Sequence, residues 1–163
     1  MRPQRIEPGE GQESVWDYPR PPVVDPSEDL VVVLFNGHEL VRSTRTQRVL
    51  ETSQPPAFYV PRDDIDMDAL TPGLGRSFCE WKGEASYFDV EVDGMRANQV
   101  AWTYPSPTAS FASIADYLAF YAQKLDCSVN GEAVNANEGA FYGGWITSAV
   151  VGPFKGGAGS AWW

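Results

Sequence analysis

Eight polar or aromatic side chains are the residues of this sequence best suited to bind a small molecule. Tyrosine and tryptophan combine an apolar ring with a polar tip, which is the usual lining of a ligand pocket. An arginine could hold a carboxylate or a phosphate through paired hydrogen bonds. The alternative, favoured for any single residue, is an aromatic-rich β core with surface arginines. The candidate ligand-binding residues are Arg45, Arg48, Tyr59, Trp81, Lys82, Tyr87, Trp102 and Tyr104.

Cys79 is the candidate for a reactive thiol. A nearby cation such as Lys82 would favour the thiolate and so increase its reactivity. A free cysteine is more often a small buried residue of a strand, and this interpretation is favoured. Cys79 and Cys127 could form one disulfide, but their spacing does not give the distance between them. We expect two reduced thiols in a cytoplasmic protein.

An acidic cluster is the second possible centre of chemistry. Asp64, Asp66 and Asp68 alternate along the chain, and a nucleotidyltransferase needs carboxylates to hold Mg²⁺ against a triphosphate. No Gly-Ser phosphate loop lies just upstream. Acidic residues are also common in the first turn of a helix, where they interact favourably with its dipole. A solvated position is therefore favoured over a metal site, and we expect no metal and no cofactor.

Three isolated signals are weaker. His38 is the only histidine, which excludes metal sites built on two histidines, and its place after Asn36-Gly37 predicts the surface edge of a hairpin. The glycine-rich stretch at 156–160 lacks the Lys-Ser/Thr pair and the following helix of a phosphate loop. We interpret it as a flexible tail whose terminal tryptophans dock on the body or on another subunit. The FYGGW stretch at 141–145 predicts a tight turn with aromatic anchors.

Strands must position most of these residues. The continuous apolar run at 30–35 is typical of a buried strand, and residues 85–92 alternate apolar and polar side chains over most of their length, which predicts one face in water. The strongest turn signals are dipeptides that adopt positive φ readily. They are Asn36-Gly37, Asp93-Gly94 and Asn130-Gly131.

Two helices are predicted. A short helix over 63–70 has acidic residues in its first turn, which favours a helix start. A longer helix over 113–124 begins with Ser113 and Asp116 in the spacing of a capping box. The apolar residues that follow recur at helical spacing, which predicts a stripe facing the core.

Composition and charge exclude several classes of partner. The chain has 163 residues, enough for one domain with its own core. Its net charge of −10 opposes binding to nucleic acid and to anionic membranes, both of which attract Lys and Arg. No apolar run approaches the roughly 18 residues of a membrane span. The polar residues at 1–13 do not resemble a signal peptide.

Six separated stretches resemble a family known as domain of unknown function 427. The likeness extends from about Ser14 to Val129, and the order of the stretches makes it specific. The stretches are SVWDYPRPP (14–22), STRTQRVLET (43–52), PPAFYVPRDDI (55–65), CEWKGEASYFDV (79–90), AWTYPSPT (101–108) and IADYLAFY (114–121).

This resemblance implies a mainly-β fold similar to the β-tent group, with two antiparallel sheets packed at an angle. Many β-tent proteins hold zinc through paired Cys-x-x-Cys ligands, which this chain lacks. The family also carries a nucleotidyltransferase label, and its catalytic residues are not settled, so none is transferred to this chain.

The resulting expectation is a flexible arm over 1–13, a β-tent-like domain over 14–129, and an extension over 130–163. The extension is expected to pack on the domain or on another subunit. The leading functional hypothesis is a small-molecule binding module with an aromatic-lined cleft. The alternatives are an enzyme of thiol or nucleotidyl-transfer type and a structural protein that forms homo-oligomers.

Overall fold

β-Strands dominate the regular structure of the computed structural model, which describes residues 3–139 and 143–163. The predicted mainly-β class is confirmed. The strands are β1 (Glu13–Ser14), β2 (Val23–Ser27), β3 (Val31–Phe35), β4 (His38–Ser43), β5 (Thr46–Leu50), β6 (Ala57–Tyr59), β7 (Leu70–Cys79), β8 (Gly83–Val92), β9 (Met95–Thr103), β10 (Leu118–Phe120), β11 (Asp126–Val129), β12 (Glu132–Ala133), β13 (Asn135–Ala136), β14 (Trp145–Ile146) and β15 (Val150–Val151). The 3-10 turns are Val15–Asp17, Arg62–Asp64, Met67–Ala69 and Ala109–Ile114.

Tight turns connect three hairpins where the sequence predicts them, joining β3 to β4, β8 to β9 and β11 to β12. Both central residues of each turn have positive φ, as a type I′ turn requires. The φ angles are 51° and 74° at Asn36-Gly37, 52° and 79° at Asp93-Gly94, and 50° and 82° at Asn130-Gly131.

Three antiparallel sheets form the body of the domain. Their strand orders are β10-β9-β8-β7, β12-β11-β3-β4 and β2-β5-β6. Val60, which follows β6, exchanges backbone hydrogen bonds of 2.8 and 3.0 Å with Leu118 of β10. The three-stranded sheet is therefore joined to the sheet of β7 to β10 at this point.

Alternation along the strands separates two hydrophobic clusters. Val31 of β3, Phe58 of β6 and Phe88 of β8 belong to the main core. Successive side chains of a strand point to opposite faces, so Tyr59 and Tyr87, the neighbours of Phe58 and Phe88, belong to a second cluster. We call this second group the aromatic cluster, and it contains the candidate site.

The longer helix predicted over 113–124 is wrong, and no helix in the described residues exceeds the six residues of Ala109–Ile114. The chain leaves the helical path after Ile114, with a ψ of 127° at Ala115 and a φ of 64° at Asp116. It then pairs as β10 with β9 on one side, while Leu118 bridges Val60 on the other. Backbone pairing with β9 and with Val60 therefore overrides the helical spacing of the apolar residues. That spacing still identified Ile114 and Leu118 correctly as buried residues.

The short helix predicted over 63–70 resolves into the turns Arg62–Asp64 and Met67–Ala69. Ile65 lies between them and forms a bridge with Val41 of β4. This pairing interrupts helical hydrogen bonding after one turn. No helix in residues 3–139 or 143–163 is long and apolar enough to cross a membrane.

The two ends of the described chain contact each other. The amide of Ile6 donates to the carbonyl of Gly152 at 3.1 Å, and β1 pairs with β15 in parallel. The rings of Trp16 and Trp163 lie 5.8 Å apart. Trp145, in the extension beyond residue 130, is 1% exposed and belongs to the main core.

Candidate functional site

A cavity of about 150 Å³ lies within the aromatic cluster, between the three-stranded sheet and the sheet of β7 to β10. We call it the aromatic cavity. Five of the eight candidate ligand-binding residues line it, and the strands bring these together from distant parts of the sequence. They are Tyr59, Lys82, Tyr87, Trp102 and Tyr104.

Strand register places the lining side chains on one face of each sheet. Residues directly opposite each other in an antiparallel pair point to the same face. The small side chains of Ala57, Ser77 and Ala85 leave an open space, and the rings of Tyr87 and Trp102 border it. The lining pairs are Val49 with Ala57, Ser77 with Ala85, and Tyr87 with Trp102.

Aromatic rings form the walls of the cavity. Trp102 donates a hydrogen bond of 3.0 Å from Nε1 to the hydroxyl of Tyr59, and the two rings are nearly perpendicular with centroids 6.1 Å apart. The ring of Tyr121 lies 4.6 Å from that of Trp102. Edge and tilted contacts of this kind stabilise aromatic pairs beyond the burial of their surfaces. The indole of Trp102 is therefore held in place from two directions.

The phenol groups of Tyr59, Tyr104 and Tyr121 are neutral hydrogen-bonding groups. Burial raises the pKa of Tyr121 to about 12, and the neighbouring Tyr87 adds to this shift. Burial also raises the pKa values of Tyr59 and Tyr104 well above the ordinary value for tyrosine. A neutral phenol can both donate and accept hydrogen bonds. The hydroxyl of Tyr87 lies 2.7 Å from Ser77 Oγ, and either oxygen could be the donor. These groups can therefore bind either a donor or an acceptor.

Lys82 supplies positive charge to the cavity. It lies in the turn between β7 and β8, and only 8% of the residue is exposed. Its Nζ lies 5.7 Å from the ring centroids of both Tyr104 and Phe111, a distance at which an ammonium group is attracted to a ring face. None of the ion pairs found within the described residues involves Lys82.

Arg48 does not line the aromatic cavity. Val49 of β5 does, so alternation directs Arg48 to the opposite face. There its Nη2 lies 2.6 Å from Asp25 Oδ2 and its Nη1 lies 3.0 Å from Glu13 Oε1. Burial lowers the pKa of Arg48, but the hydrogen bonds to Glu13 and Asp25 outweigh burial and leave it raised. Arg48 is thus part of a structural ion-pair network.

Arg45 lies away from the cavity too, because it pairs with the acidic cluster. Its Nη2 lies 2.6 Å from Asp64 Oδ1, and the guanidinium holds the pKa of Asp64 below its ordinary value. Asp66 Oδ2 lies 2.7 Å from Nε2 of the exposed His38. Neither arginine lines the aromatic cavity, and Lys82 is the Lys or Arg residue among its described lining residues. Within the described ranges, no group of three or more His, Cys, Asp or Glu residues is placed to hold a metal ion.

Trp81 and Cys79 are half-buried against the aromatic cluster but do not line the cavity. The carbonyl of Trp81 accepts a hydrogen bond of 2.6 Å from Thr108 Oγ1, which holds the turn that carries Lys82. Cys79 and Cys127 are both free thiols. Burial raises the pKa of Cys127 to about 12, so that thiol is inert at neutral pH.

Two glycines that line the cavity are not among the residues singled out from the sequence. A Cβ on Gly143 would overlap Cη2 of Trp102 and lie 2.6 Å from Cζ3, and a Cβ on Gly144 would lie 2.8 Å from Pro55 Cγ. Such close approach requires a residue without a side chain. The sequence signal that could have identified these two glycines was the FYGGW stretch, whose Phe141 and Tyr142 lie outside the described residues.

A larger cavity of about 590 Å³ adjoins the aromatic cavity. The two cavities share Ser77, Tyr87 and Tyr121 as lining residues. Lys124 also lines the larger cavity, but its Nζ already donates to the carbonyls of Asn98 and Gln99 at 2.6 and 3.2 Å. A ligand larger than one ring could therefore extend past the shared tyrosines.

The glycine-rich turn at 156–160 is closed by its own hydrogen bonds. The amide of Gly156 donates to Ser160 Oγ at 2.9 Å, and Ser160 Oγ donates to the carbonyl of Gly157 at 2.6 Å. Glu138 Oε2 occupies the space beside Gly157. A carboxylate at this position opposes the binding of a phosphate.

Comparison with models of known protein families identifies the family of this chain. The family model described as a domain of unknown function (DUF427) matches residues 23–131. The chain belongs to this family. The matched part of the DUF427 domain contains the cavity residues from Val49 to Tyr121, whereas Gly143 and Gly144 follow it. No curated protein matches the chain.

Gly143→Ala is expected to reshape the aromatic cavity of this DUF427 domain. The added methyl group would displace the Trp102 ring and break its hydrogen bond to Tyr59. Overpacking of this kind lowers the free energy of unfolding by roughly 1–3 kcal/mol. Urea unfolding and the indole N–H resonance of Trp102 measure both effects. Gly9→Ala, at an exposed glycine, is the control, and equal stability of the two variants would contradict the close contact.

Proposed function

We propose that this domain is a small-molecule binding module and that the aromatic cavity is its ligand site. The observation that carries the proposal is that Tyr59, Trp102 and Tyr104 border an open space of about 150 Å³ instead of filling it. A cavity of about this volume is large enough for a single aromatic ring. The expected ligand therefore contains a small planar ring that packs against these side chains.

The polar groups of the cavity support a ligand with a polar substituent. Tyr59, Tyr87 and Tyr104 present phenol groups to the cavity, and Lys82 presents a cation. Polar groups that converge on one pocket orient a ligand and give specificity. Because hydrogen bonds and ring contacts hold Trp102 before any ligand arrives, little ordering is required on binding.

Calorimetric titration with benzamide tests the proposal, since benzamide combines one ring with a neutral polar group. The expected dissociation constant is on the order of 1 mM or tighter for so small a ligand. Ala57→Leu is expected to abolish this binding, because Ala57 lines the cavity and a larger side chain there would fill it. Ala133→Leu makes the same change on an exposed strand residue and should bind as the wild type does.

Two results would count against a ligand site in the aromatic cavity. The first is that neither benzamide nor benzoate binds the wild-type domain at millimolar concentration. The second is that Ala57→Leu, folded as judged by its unfolding transition, binds benzamide as well as Ala133→Leu does. The second result would place the bound molecule elsewhere on the domain.

The proposal extends to location, assembly and fold group. Two free thiols support a cytoplasmic location, because a reducing compartment maintains that state.

Homo-oligomer formation is the second candidate role, and it is supported by Leu74 and Phe78, which are 89% and 78% exposed on the edge strand β7. Light scattering of the wild type and of Phe78→Ser measures assembly. A β-tent arrangement is supported by the four-stranded sheets β12-β11-β3-β4 and β10-β9-β8-β7, which both contribute residues to the main core.

A further inference from the structure

Among the residues that the structure describes, Lys82 has no acidic partner, although it is more than nine-tenths buried. Within residues 3–139 and 143–163, neither the ion pairs nor the side-chain hydrogen bonds include its Nζ, whose neighbours are the rings of Tyr104 and Phe111. Removing an ammonium group from water is costly unless an opposite charge or hydrogen-bond acceptors replace the water. Attraction to two ring faces offsets only part of that cost. The cavity therefore contains a cation that is poised to accept an anionic group.

We propose that Lys82 binds the carboxylate of an aromatic carboxylic acid whose ring occupies the aromatic cavity. This inference rests on the proposed function, because it assigns the substituent of the ligand proposed above. Lys82 and the rings of Tyr59 and Trp102 line the same cavity. An acid with its ring between those side chains could reach the ammonium group with its carboxylate. The neutral phenols of Tyr59 and Tyr104 could donate hydrogen bonds to the carboxylate oxygens.

A single negative charge fits the cavity better than a phosphate dianion. Glu51 lines the same cavity, and its side chain is only 16% exposed. Glu51 Oε2 lies 3.9 Å from Nε of Arg20, so among the described lining residues Lys82 leaves one positive charge without an acidic partner. A second negative charge on the ligand would face the Glu51 carboxylate in a medium that screens charge poorly. The structure therefore favours a carboxylate over an inorganic or organic phosphate.

The test compares benzoate, benzamide and inorganic phosphate by calorimetric titration. Benzoate and benzamide share one ring and similar shape and differ in charge. Lys82→Met removes the charge and keeps an unbranched side chain of similar length, and Lys155→Met makes the same change outside both cavities. Wild type and Lys155→Met are expected to bind benzoate roughly 10- to 100-fold more tightly than benzamide, the range for a charged hydrogen bond. In Lys82→Met this preference should disappear, while benzamide affinity stays within about threefold, because uncharged contacts remain.

Each alternative outcome has a distinct meaning. If benzamide binds the wild type as tightly as benzoate does, or if Lys82→Met keeps the preference for benzoate, the role of Lys82 is overturned while a ring-binding cavity stands. If phosphate binds more tightly than benzoate, the choice of a carboxylate is overturned. If neither aromatic probe binds, the proposed function fails as well. Even if Lys82→Met does not fold, the comparison of benzoate with benzamide in the wild type tests whether the cavity prefers a carboxylate.

Discussion

Trp145→Ala is expected to lower the free energy of unfolding by about 3–5 kcal/mol, the range for truncating a large buried aromatic side chain. Trp145 is 1% exposed, its ring stacks on Phe58 with centroids 5.2 Å apart, and its Nε1 donates to the carbonyl of Phe120 at 2.8 Å. The residue lies beyond the part of the chain that matches the family model. The loss would show that the extension completes the main core and does not merely cover it.

Urea unfolding followed by circular dichroism measures this loss, because a change in midpoint at constant slope reports stability. Trp145→Phe is the matched variant, since it keeps an aromatic ring against Phe58 and removes only the indole N–H. Its expected loss is smaller, about 1–3 kcal/mol, because the carbonyl of Phe120 is left without that donor. A loss below about 1 kcal/mol for Trp145→Ala would be ordinary for a surface residue and would contradict this account of the core.

Arg48→Met is expected to destabilise the domain without changing ligand binding. Its guanidinium joins Glu13, next to the amino-terminal arm, to Asp25 on β2, and only 17% of the Arg48 side chain is exposed. Because both carboxylates are nearly half exposed and can be rehydrated, the expected loss is modest, about 1–2 kcal/mol. The expected dissociation constants of benzamide and benzoate are those of the wild type, since Arg48 lies on the face of β5 opposite Val49.

The contrast with Lys82→Met makes this prediction informative. Thermal unfolding and calorimetric titration on the same preparations would separate stability from binding for the two cations. A stable Arg48→Met variant that had lost benzoate binding would restore Arg48 to the ligand site. It would also contradict the alternation that places Arg48 on the opposite face of β5 from the cavity.

The strands and tight turns could be predicted because their signals are local. Asn36-Gly37 and Asp93-Gly94 determine their turns through their own backbone preferences, whatever lies around them. The helix predicted over 113–124 failed because β10 forms through partners that are distant in sequence, β9 and Val60. The spacing of Ile114 and Leu118 shows which residues are buried, but a strand and a helix can bury the same residues.

The candidate site was predictable in its residue types and not in its geometry. Tyr59, Trp102 and Tyr104 are of the kind that line ligand sites, and the structure places them together. The sequence did not show that Arg48 points away, because this depends on which face of β5 meets the opposite sheet. Nor could it show that small residues such as Ala57 and Ala85 leave a space, since the depth of a cavity depends on the separation of two sheets.

The most direct test of the central claim is a nuclear magnetic resonance titration of the wild-type domain with benzoate, observing the indole N–H resonances of its tryptophans. Trp102→Phe assigns the resonance of the cavity. We expect the Trp102 resonance to shift progressively and to saturate, because its Nε1 binds Tyr59 at the cavity wall. The resonance of Trp145, whose Nε1 binds Phe120 in the main core, should not move. Saturating binding that leaves the Trp102 resonance unchanged, or no binding at all, would contradict a ligand site in the aromatic cavity.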